Sequence, residues 1–373
     1  MKLASFNLEN LFRRPTFMNE SSQLSQQILK DYYDLSGLIE KEEYTAEVKN
    51  TILSILKRYD GIIDNNNPFI KLNEIRGPRF LHKNDDGLSI DWDIKGRTDW
   101  IGWFELNTAE VNVEAVKNTA RVINAVGADV LGVVEVENRI AVNKFNENVI
   151  PQIGGQKYDY TMVIDGNDDR GIDVGIMTKH GYRISSIATH IYDGEEDEKG
   201  PIFMRDCAEY TIQTPSGKPL LILVNHFKSQ GGETDVSDAI RIREARQVRK
   251  IYEQKIKEGN EYIAITGDLN QDPEHFTLQP LLKEGSSLQD IMSHEKFYDK
   301  YGLRWTHKRG EDGSKLDYIL LSPKLQDKVI KAGIERRGVW GKGNGEPYEQ
   351  FPEMRNELDA ASDHAALWVD LDI

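Results

Sequence analysis

Ile263-Ala264-Ile265-Thr266-Gly267-Asp268-Leu269-Asn270 is an apolar run of strand length that stops at a glycine and then presents a carboxylate and a carboxamide. Residues two apart on an extended chain lie on one face. The expectation is therefore a buried strand ending in two polar groups that point the same way. A carboxylate can accept a proton from water, and a carboxamide can grip a phosphoryl oxygen or the attacking water. Gly-Asp after a strand is also ordinary turn chemistry, so the weight of the assignment comes from what the rest of the chain aims at this point.

With 373 residues the chain can bury a substantial core. A single cysteine, Cys207, excludes an internal disulfide. The opening Met1-Lys2-Leu3-Ala4-Ser5-Phe6-Asn7 has no apolar leader, and no later run is long enough to span a bilayer. With Met1 as the natural start, the expected location is the cytoplasm, with no membrane insertion. The net charge of −15 sets a condition on polyanionic substrates. They must be handled by a local basic patch, by bound metal, or by both. Acidic residues gathered in a cleft suit hard divalent cations.

Outward from the opening stretch, the pattern is α/β. A first strand covers Lys2 to Asn7. Residues 14–105 are irregular, with a helix expected around Thr45 to Tyr59 and a β-hairpin over Asp91 to Phe104, whose tryptophans 92, 100 and 103 suit a small core. This block is taken as an insertion between the first strand and the first core helix, within one domain spanning 1–373. Val113 to Val126 has helical apolar spacing and is stopped by Gly127. Strands follow at Asp129 to Val136, Tyr158 to Ile164, Asp173 to Thr178, Arg183 to Ile191, Ala208 to Thr214 and Leu220 to Asn225. A basic helix at Ala239 to Ile256 leads into the opening strand, and Arg304 to His307, Leu316 to Ser322 and Ala365 to Leu371 read as later strands. A Gly- and Lys-rich loop lies between Val339 and Glu346.

The chemistry-bearing residues sit at strand ends. Asn7 closes the first strand, Glu135 lies late in the next, His226 follows Asn225, and Asp317 and Asp363-His364 begin or precede strands. Open sheets place sites at strand termini, where loops converge without disturbing the core. Each has a bland alternative: Asn7 closing a turn, Glu135 pairing with Arg139, Asp317 as a simple strand start, the histidines as structural ones. Taken together and in this order, the bland account needs too many coincidences.

Phe6-Asn7-Leu8-Glu9, Val133-Val134-Glu135-Val136, Val224-Asn225-His226, Gly267-Asp268-Leu269-Asn270, Leu316-Asp317-Tyr318-Ile319 and Ser362-Asp363-His364 resemble the ordered signature of the endonuclease/exonuclease/phosphatase (DNase I-like) superfamily. Among its members the motifs are most similar to bacterial DNase-like nucleases. The likeness covers the first twelve residues and roughly 110 to 371. It implies a four-layer α/β sandwich, with two packed mixed β-sheets flanked by helices. It also implies roles: Asn7, Glu135 and Asp363 as the Mg²⁺ (or Mn²⁺) site, Asp268 as the residue that orients or deprotonates water, and Asn270 as a holder of phosphate. His364 resembles a phosphate-binding histidine held by Asp317, and His226 a general acid for the leaving oxygen. Two positions depart from the pattern: Glu9 stands where several relatives carry Asp, and Val134 where many carry Gln.

Elementary chemistry agrees with that casting. Mg²⁺ takes oxygen ligands, commonly one or two carboxylates with waters and substrate phosphate, and the chain has no Cys–His cluster of zinc spacing. Arg170, in Asp168-Asp169-Arg170-Gly171, is placed to reach a phosphate or to pair with a neighbouring aspartate, and Lys228 follows His226 closely. Arg243, Arg246 and Lys250 repeat at helical spacing, with Arg241 and Arg249 nearby, as a nucleic-acid-binding stripe or a solvated helix face. The expected activity is that of a phosphoric ester hydrolase: a metal-dependent nuclease on DNA, with RNA a further substrate. The alternative is a phosphatase or phosphodiesterase acting on a small molecule or lipid headgroup.

Overall fold

The computed structural model of the chain describes residues 1–11, 16–19, 22–84, 87–108, 112–168, 170–194, 200–231, 234–283, 285–309, 312–341 and 348–373. Most of the Gly- and Lys-rich loop before Glu346, residues 342–346, lies outside them. Two compact units are formed, one from Met1–Phe12 with Val111–Ile373 and one from Arg13–Glu110.

Among the described residues, the two large sheets of the first unit are built on thirteen strands, labelled in chain order. These are β1 (Lys2–Leu11), β2 (Val130–Val136), β3 (Tyr160–Ile164), β4 (Asp173–Thr178), β5 (Arg183–Ala188), β6 (Cys207–Gln213) and β7 (Pro219–His226). They continue as β8 (Ile263–Asp268), β9 (Gln289–Asp290), β10 (Phe297–Tyr298), β11 (Asp317–Leu321), β12 (Val329–Glu335) and β13 (Ala366–Leu371). A seven-stranded sheet has the order β10-β12-β13-β1-β2-β4-β3, and a six-stranded sheet the order β9-β11-β8-β7-β6-β5. Both are mixed: β1 runs parallel to β2 and β7 parallel to β8, while β13, β4 and β11 pair antiparallel to β1, β2 and β8.

Alternation along the strands decides what faces what. Leu3, Val130, Val134 and Val174 of one sheet and Ile222, Val224, Ala264 and Ile319 of the other share one buried cluster, so the sheets pack face to face. The opposite residues, Phe6, Leu131 and Val133, pack with Val122, Ile123 and Val126 of α1 (Val113–Val126) and with Val142 and Phe145 of α2 (Arg139–Asn148). Leu221, Leu223, Ile263 and Ile265 pack with Ala245, Val248 and Ile251 of α3 (Thr234–Lys257). The result is the four-layer helix–sheet–sheet–helix sandwich. Helix α1 begins where the Asn112 side chain accepts from the N–H groups of Glu114 and Ala115, and stops at Gly127, whose φ of 61° ends the helix without a Cβ penalty.

The Arg13–Glu110 unit has its own core, with Ile28, Leu35, Ile52, Phe80 and Trp100 fully buried. The helix Ala46–Leu56 starts at Thr45, whose hydroxyl accepts from Val48 N–H. A longer helix, Ser22–Ile39, went unread because its buried positions are diluted by Ser and Gln. The hairpin expected over Asp91 to Phe104 does not form. Ile101–Leu106 pairs instead with Ile70–Arg76, and Leu81–Asn84 with Gly87–Ile90. Alternation marks a strand but not its partner. Of the three tryptophans only Trp100 is core, donating Nε1–H to Glu74 at 3.0 Å, whereas Trp92 and Trp103 are nearly half exposed. The Arg304–His307 strand is displaced to His307–Arg309, which pairs with Asp312–Ser314, and β12 was missed.

Candidate active site

The inward face of each central strand is buried along its length and presents an ionisable or amide side chain only at the edge of the sheets. On β7 the inward series is Leu220, Ile222, Val224 and then His226; on β8 it is Ala264, Thr266 and Asp268. On β11, read backwards, it is Leu321, Ile319 and Asp317, and on β1 it is Leu3, Ser5 and Asn7. Register brings them level: His226 pairs with Asp268, and Asp268 with Asp317.

Glu135 reaches the same edge by breaking alternation. Leu131, Val133 and Val136 all face the outer helices, so one residue is inserted between Val133 and Val136 beyond Val134. That residue is Glu135, at φ 59°, where the ladders to β1 and β4 slip register. A bulge of this kind re-aims a side chain. Glu9, at φ 44°, and Asn270, at φ 53°, are also left-handed, so three of the five non-glycine residues with positive φ among the described residues line this edge. Such strain persists only where surrounding structure fixes it. Asp268 and Asn270 are therefore not same-face residues of one strand, because β8 ends at Asp268 and the chain then turns.

The Asn7 amide is the hub. Its Nδ2 donates to Glu135 at 3.1 Å and Asp268 at 3.3 Å and lies 3.4 Å from His364 Nε2. His226 Nε2 stands 3.8 Å from Glu135 and 3.9 Å from Asp268. His364 Nδ1 meets Asp317 at 2.8 Å, and its Nε2 faces Asp268 at 3.8 Å. Asp268 Oδ1 accepts from Asn270 N–H, and the Asn270 carboxamide donates to Phe227 O at 3.0 Å. Six predicted residues, Asn7, Glu135, His226, Asp268, Asp317 and His364, thus converge, with Asn270 fixing Asp268 from behind. Glu135 keeps 19 % of its side chain exposed, so the cluster has an open side.

Three predicted residues are placed differently. Asp363 lies with His307 and His364, its carboxylate 3.4 Å from His307 Nε2. Arg170 is paired to Asp168 through two hydrogen bonds of 2.8 and 2.6 Å, the local ion pair that its sequence context allowed. Lys228 donates Nζ–H to Gly231 O at 2.9 Å. On α3 the residues of the expected stripe stay at the surface, with Arg246 and Lys250 exposed and Arg243 donating to Pro201 O at 3.2 Å, whereas the neighbouring Arg241 is buried against Lys228 O and Ser229 O and Arg249 pairs with Glu253.

Two residues went unread. Arg205, buried and 2.8 Å from Asp168, donates to Phe227 O, and no periodicity marked it. His307 lies with its ring 4.7 Å from that of His364, and a bridge between their backbones holds it there. Its one signal was its position at the end of an expected strand. Glu9 is also accounted for: it accepts the N–H of Asp363 at 2.9 Å.

The electrostatics are divided. Burial first, then the charges of Arg205, Arg170, His364 and Lys228, hold His226 well below the ordinary histidine range. Burial acts against His364 too, but Asp317, Asp268 and Asp363 outweigh it and hold it well above that range. Asp268 is pushed up to about 7, by burial first and by the Asp317 and Glu135 charges, with His364 opposing. Burial with Arg205 and Arg170 brings Lys228 down to about 8. One side of the site therefore crowds carboxylates and the other crowds cations. Glu135, His226 and Asp268 each offer a ligand atom within 4.8 Å of the others. Crowded, desolvated oxygen donors fit a hard divalent cation, which relieves their mutual repulsion.

A profile of the Endonuclease/Exonuclease/phosphatase family matches residues 104–322, more than half of the chain. The chain belongs to the endonuclease/exonuclease/phosphatase family. Members of this family are phosphoester hydrolases, and the acidic and histidine groups gathered here could hold the divalent metal such enzymes typically use. No curated protein matches the sequence. Among solved structures, the fold is similar to that of a mannosyl-6-phosphatase from Bacteroides thetaiotaomicron, at 19 % identity and a TM-score of 0.50 over 70 % of this chain and 91 % of that one. It is similar to the endonuclease/exonuclease/phosphatase from Bacteroides vulgatus, at 17 % identity and a TM-score of 0.50 over 70 % and 90 %. The catalytic domain of human Nocturnin aligns at 16 % identity and a TM-score of 0.48 over 70 % and 87 %. Among the described residues no helix is long and apolar enough to cross a membrane.

Proposed function

We propose that the chain is a divalent-metal-dependent phosphodiesterase, acting first on DNA and located in the cytoplasm. The observation that carries this reading is the meeting of Asn7, Glu135, His226, Asp268, Asp317 and His364 at one strand edge, with Arg170, Arg205 and Lys228 acting on His226 from the other side. Asn7 and Glu135 are the residues that would hold Mg²⁺ or Mn²⁺, which supplies Lewis-acid polarisation of phosphoryl oxygens and stabilises a leaving alkoxide. Asp268, with a proton affinity near neutrality, orients water through Oδ2, the oxygen that Asn7 also contacts, and takes its proton. His364, kept cationic by Asp317, pairs with the charge developing on the phosphoryl oxygens. His226 is neutral beside three cations; a bound phosphate offsets their charge, raises its proton affinity and lets it protonate the leaving oxygen.

A second reading, hydrolysis of a small phosphate ester, is favoured by the net charge of −15. The test offers plasmid, linear and single-stranded DNA, RNA and a panel of phosphomonoesters with Mg²⁺, Mn²⁺ or EDTA. Cleavage of DNA that needs metal and disappears in Asp268→Ala supports the first reading. Phosphate release from small esters with DNA untouched replaces it with the second, and inactivity on every substrate defeats both.

A further inference from the structure

Helix α3 changes character along its buried face. From Ala245 onward that face is apolar, with Val248, Ile251 and Tyr252 packed on the six-stranded sheet. Before it, the buried positions are Ser237, Asp238, Arg241 and Glu244. Ser237, Arg241 and Glu244 fall at i, i+4 and i+7, a single row down the helix. The row meets residues 227–231, which leave β7 directly after His226 and belong to no helix or strand.

Side chains do for this segment what a ladder does for a strand. Ser237 donates its hydroxyl to Gly231 O at 2.9 Å. Arg241 donates to Lys228 O at 2.9 Å and to Ser229 O at 3.0 Å. Glu244 accepts the Lys228 N–H at 2.8 Å with one carboxylate oxygen and the Met204 N–H at 3.1 Å with the other. It thereby ties the segment to the residue before Arg205, whose guanidinium donates to Phe227 O at 3.1 Å. Holding Glu244 there is costly. Burial pushes its carboxyl up to about 7, against the pull of those two N–H groups and then of Arg205 and Arg241. An apolar side chain such as that of Val248, one turn on, packs without that cost. Packing therefore does not account for the polar half of the face, whereas anchoring of the segment does.

We propose that the Ser237–Arg241–Glu244 row of α3 positions His226. That histidine is the last residue of β7, so its backbone follows wherever residues 227–231 are held. Asp268 depends on the row less, because β11 also holds it through the pairing with Asp317. The three are positioning residues that act through the imidazole. Their effect on turnover rests on the phosphodiesterase reading, whereas the anchoring does not.

The test uses full-length Ser237→Ala, Arg241→Lys and Glu244→Gln. Lys cannot span two carbonyls as the guanidinium fork does, and Gln turns one acceptor into a donor that faces an N–H. Amide exchange read by mass spectrometry should quicken about 10-fold or more over residues 227–231 in Arg241→Lys and Glu244→Gln, with β8 unaltered. Turnover is measured with Mg²⁺ on linear DNA, or on the phosphomonoester that replaces it. In these two variants kcat should fall by about 10-fold to 100-fold with KM within about 3-fold, the loss expected from a reacting group misplaced by ~1 Å. In the His226→Ala background the same substitutions should cost less than about 3-fold, because a positioning residue acts only through the group it positions. Losses that persist in full in that background overturn the proposal, as do exchange and kcat unchanged in both variants. Should both fail to fold, Ser237→Ala, which removes one hydrogen bond, decides by the same two readings. Faster exchange over 227–231 in a protein that hydrolyses no phosphoester removes the functional reading and leaves the anchoring. Hydrolysis lost in Asp268→Ala but indifferent to the row does the reverse.

Discussion

His226 and Asp268 divide the proton traffic, and their substitution should separate the two duties. His226→Ala removes the proton donor but leaves the carboxylates and Asn7 in place, so kcat should fall by about 10² to 10⁴ with KM little changed. An undiminished kcat removes His226 from the reaction. A second residue-scale expectation concerns stability. Asp173, buried at the start of β4, accepts Gly166 N–H at 2.8 Å. Burial first, and then the charges of Asp165, Asp168 and Asp206, push its carboxyl up to about 7. The folded state therefore holds this proton more tightly than the unfolded chain does. The associated stability is present below about pH 4 and is lost as pH rises through about 7. Asp173→Asn keeps an acceptor for Gly166 and removes the charge. In urea melts the wild type should lose up to about 4 kcal/mol relative to Asp173→Asn between pH 4 and pH 8. Parallel stability–pH curves would contradict the assignment.

At the scale of elements, the site depends on where strands stop. Gly267, at φ 127°, lets β8 run against β7: an added Cβ would lie 1.9 Å from Asn225 O, one residue before His226. Gly267→Ala should destabilise the protein by about 3 kcal/mol or more, from a left-handed backbone plus a clash with main chain. It should also cut activity by displacing His226 and Asp268. An unfolding midpoint within error of wild type would show that the strands can part at no cost. The same strands show how much of the site was legible. Inward alternation ending in Asn7, His226, Asp268 and Asp317 can be read from sequence, because period two carries a hydrophobic face to its polar end. Glu135 obeys no such period. Its motif identified it, but the bulge that turns it inward arises from the ladders on either side. His307 and Arg205 come from short or irregular segments, where no period exists to read. The hairpin expected around Trp100 failed because pairing is chosen by packing, as the exchange of partners between Ile70–Arg76 and Ile101–Leu106 illustrates.

For the whole molecule, the charge balance makes cation binding a matter of stability as well as catalysis. Glu135 and Asp268 face each other across Asn7 in a chain of net charge −15. Mg²⁺ at about 100 times its dissociation constant should stabilise the fold by about 2.7 kcal/mol. Scanning calorimetry should show a rise in Tm in the wild type and none in Glu135→Gln, while EDTA abolishes hydrolysis. A Tm indifferent to Mg²⁺ would place the ion elsewhere or nowhere. With so acidic a chain, metal-free protein should not retain DNA in a gel shift at physiological salt. The sequence by itself determined the family, the alternation of strands and helices, the residues at four strand ends and the acidic balance. Each of those is written locally, in periodicity or in an ordered motif. The tertiary structure alone decided that Asp363 keeps company with His307, that Arg205 meets Asp168, and that a bulge delivers Glu135. Those outcomes depend on which distant segments pack together, and packing energy is shared among residues that no local pattern connects.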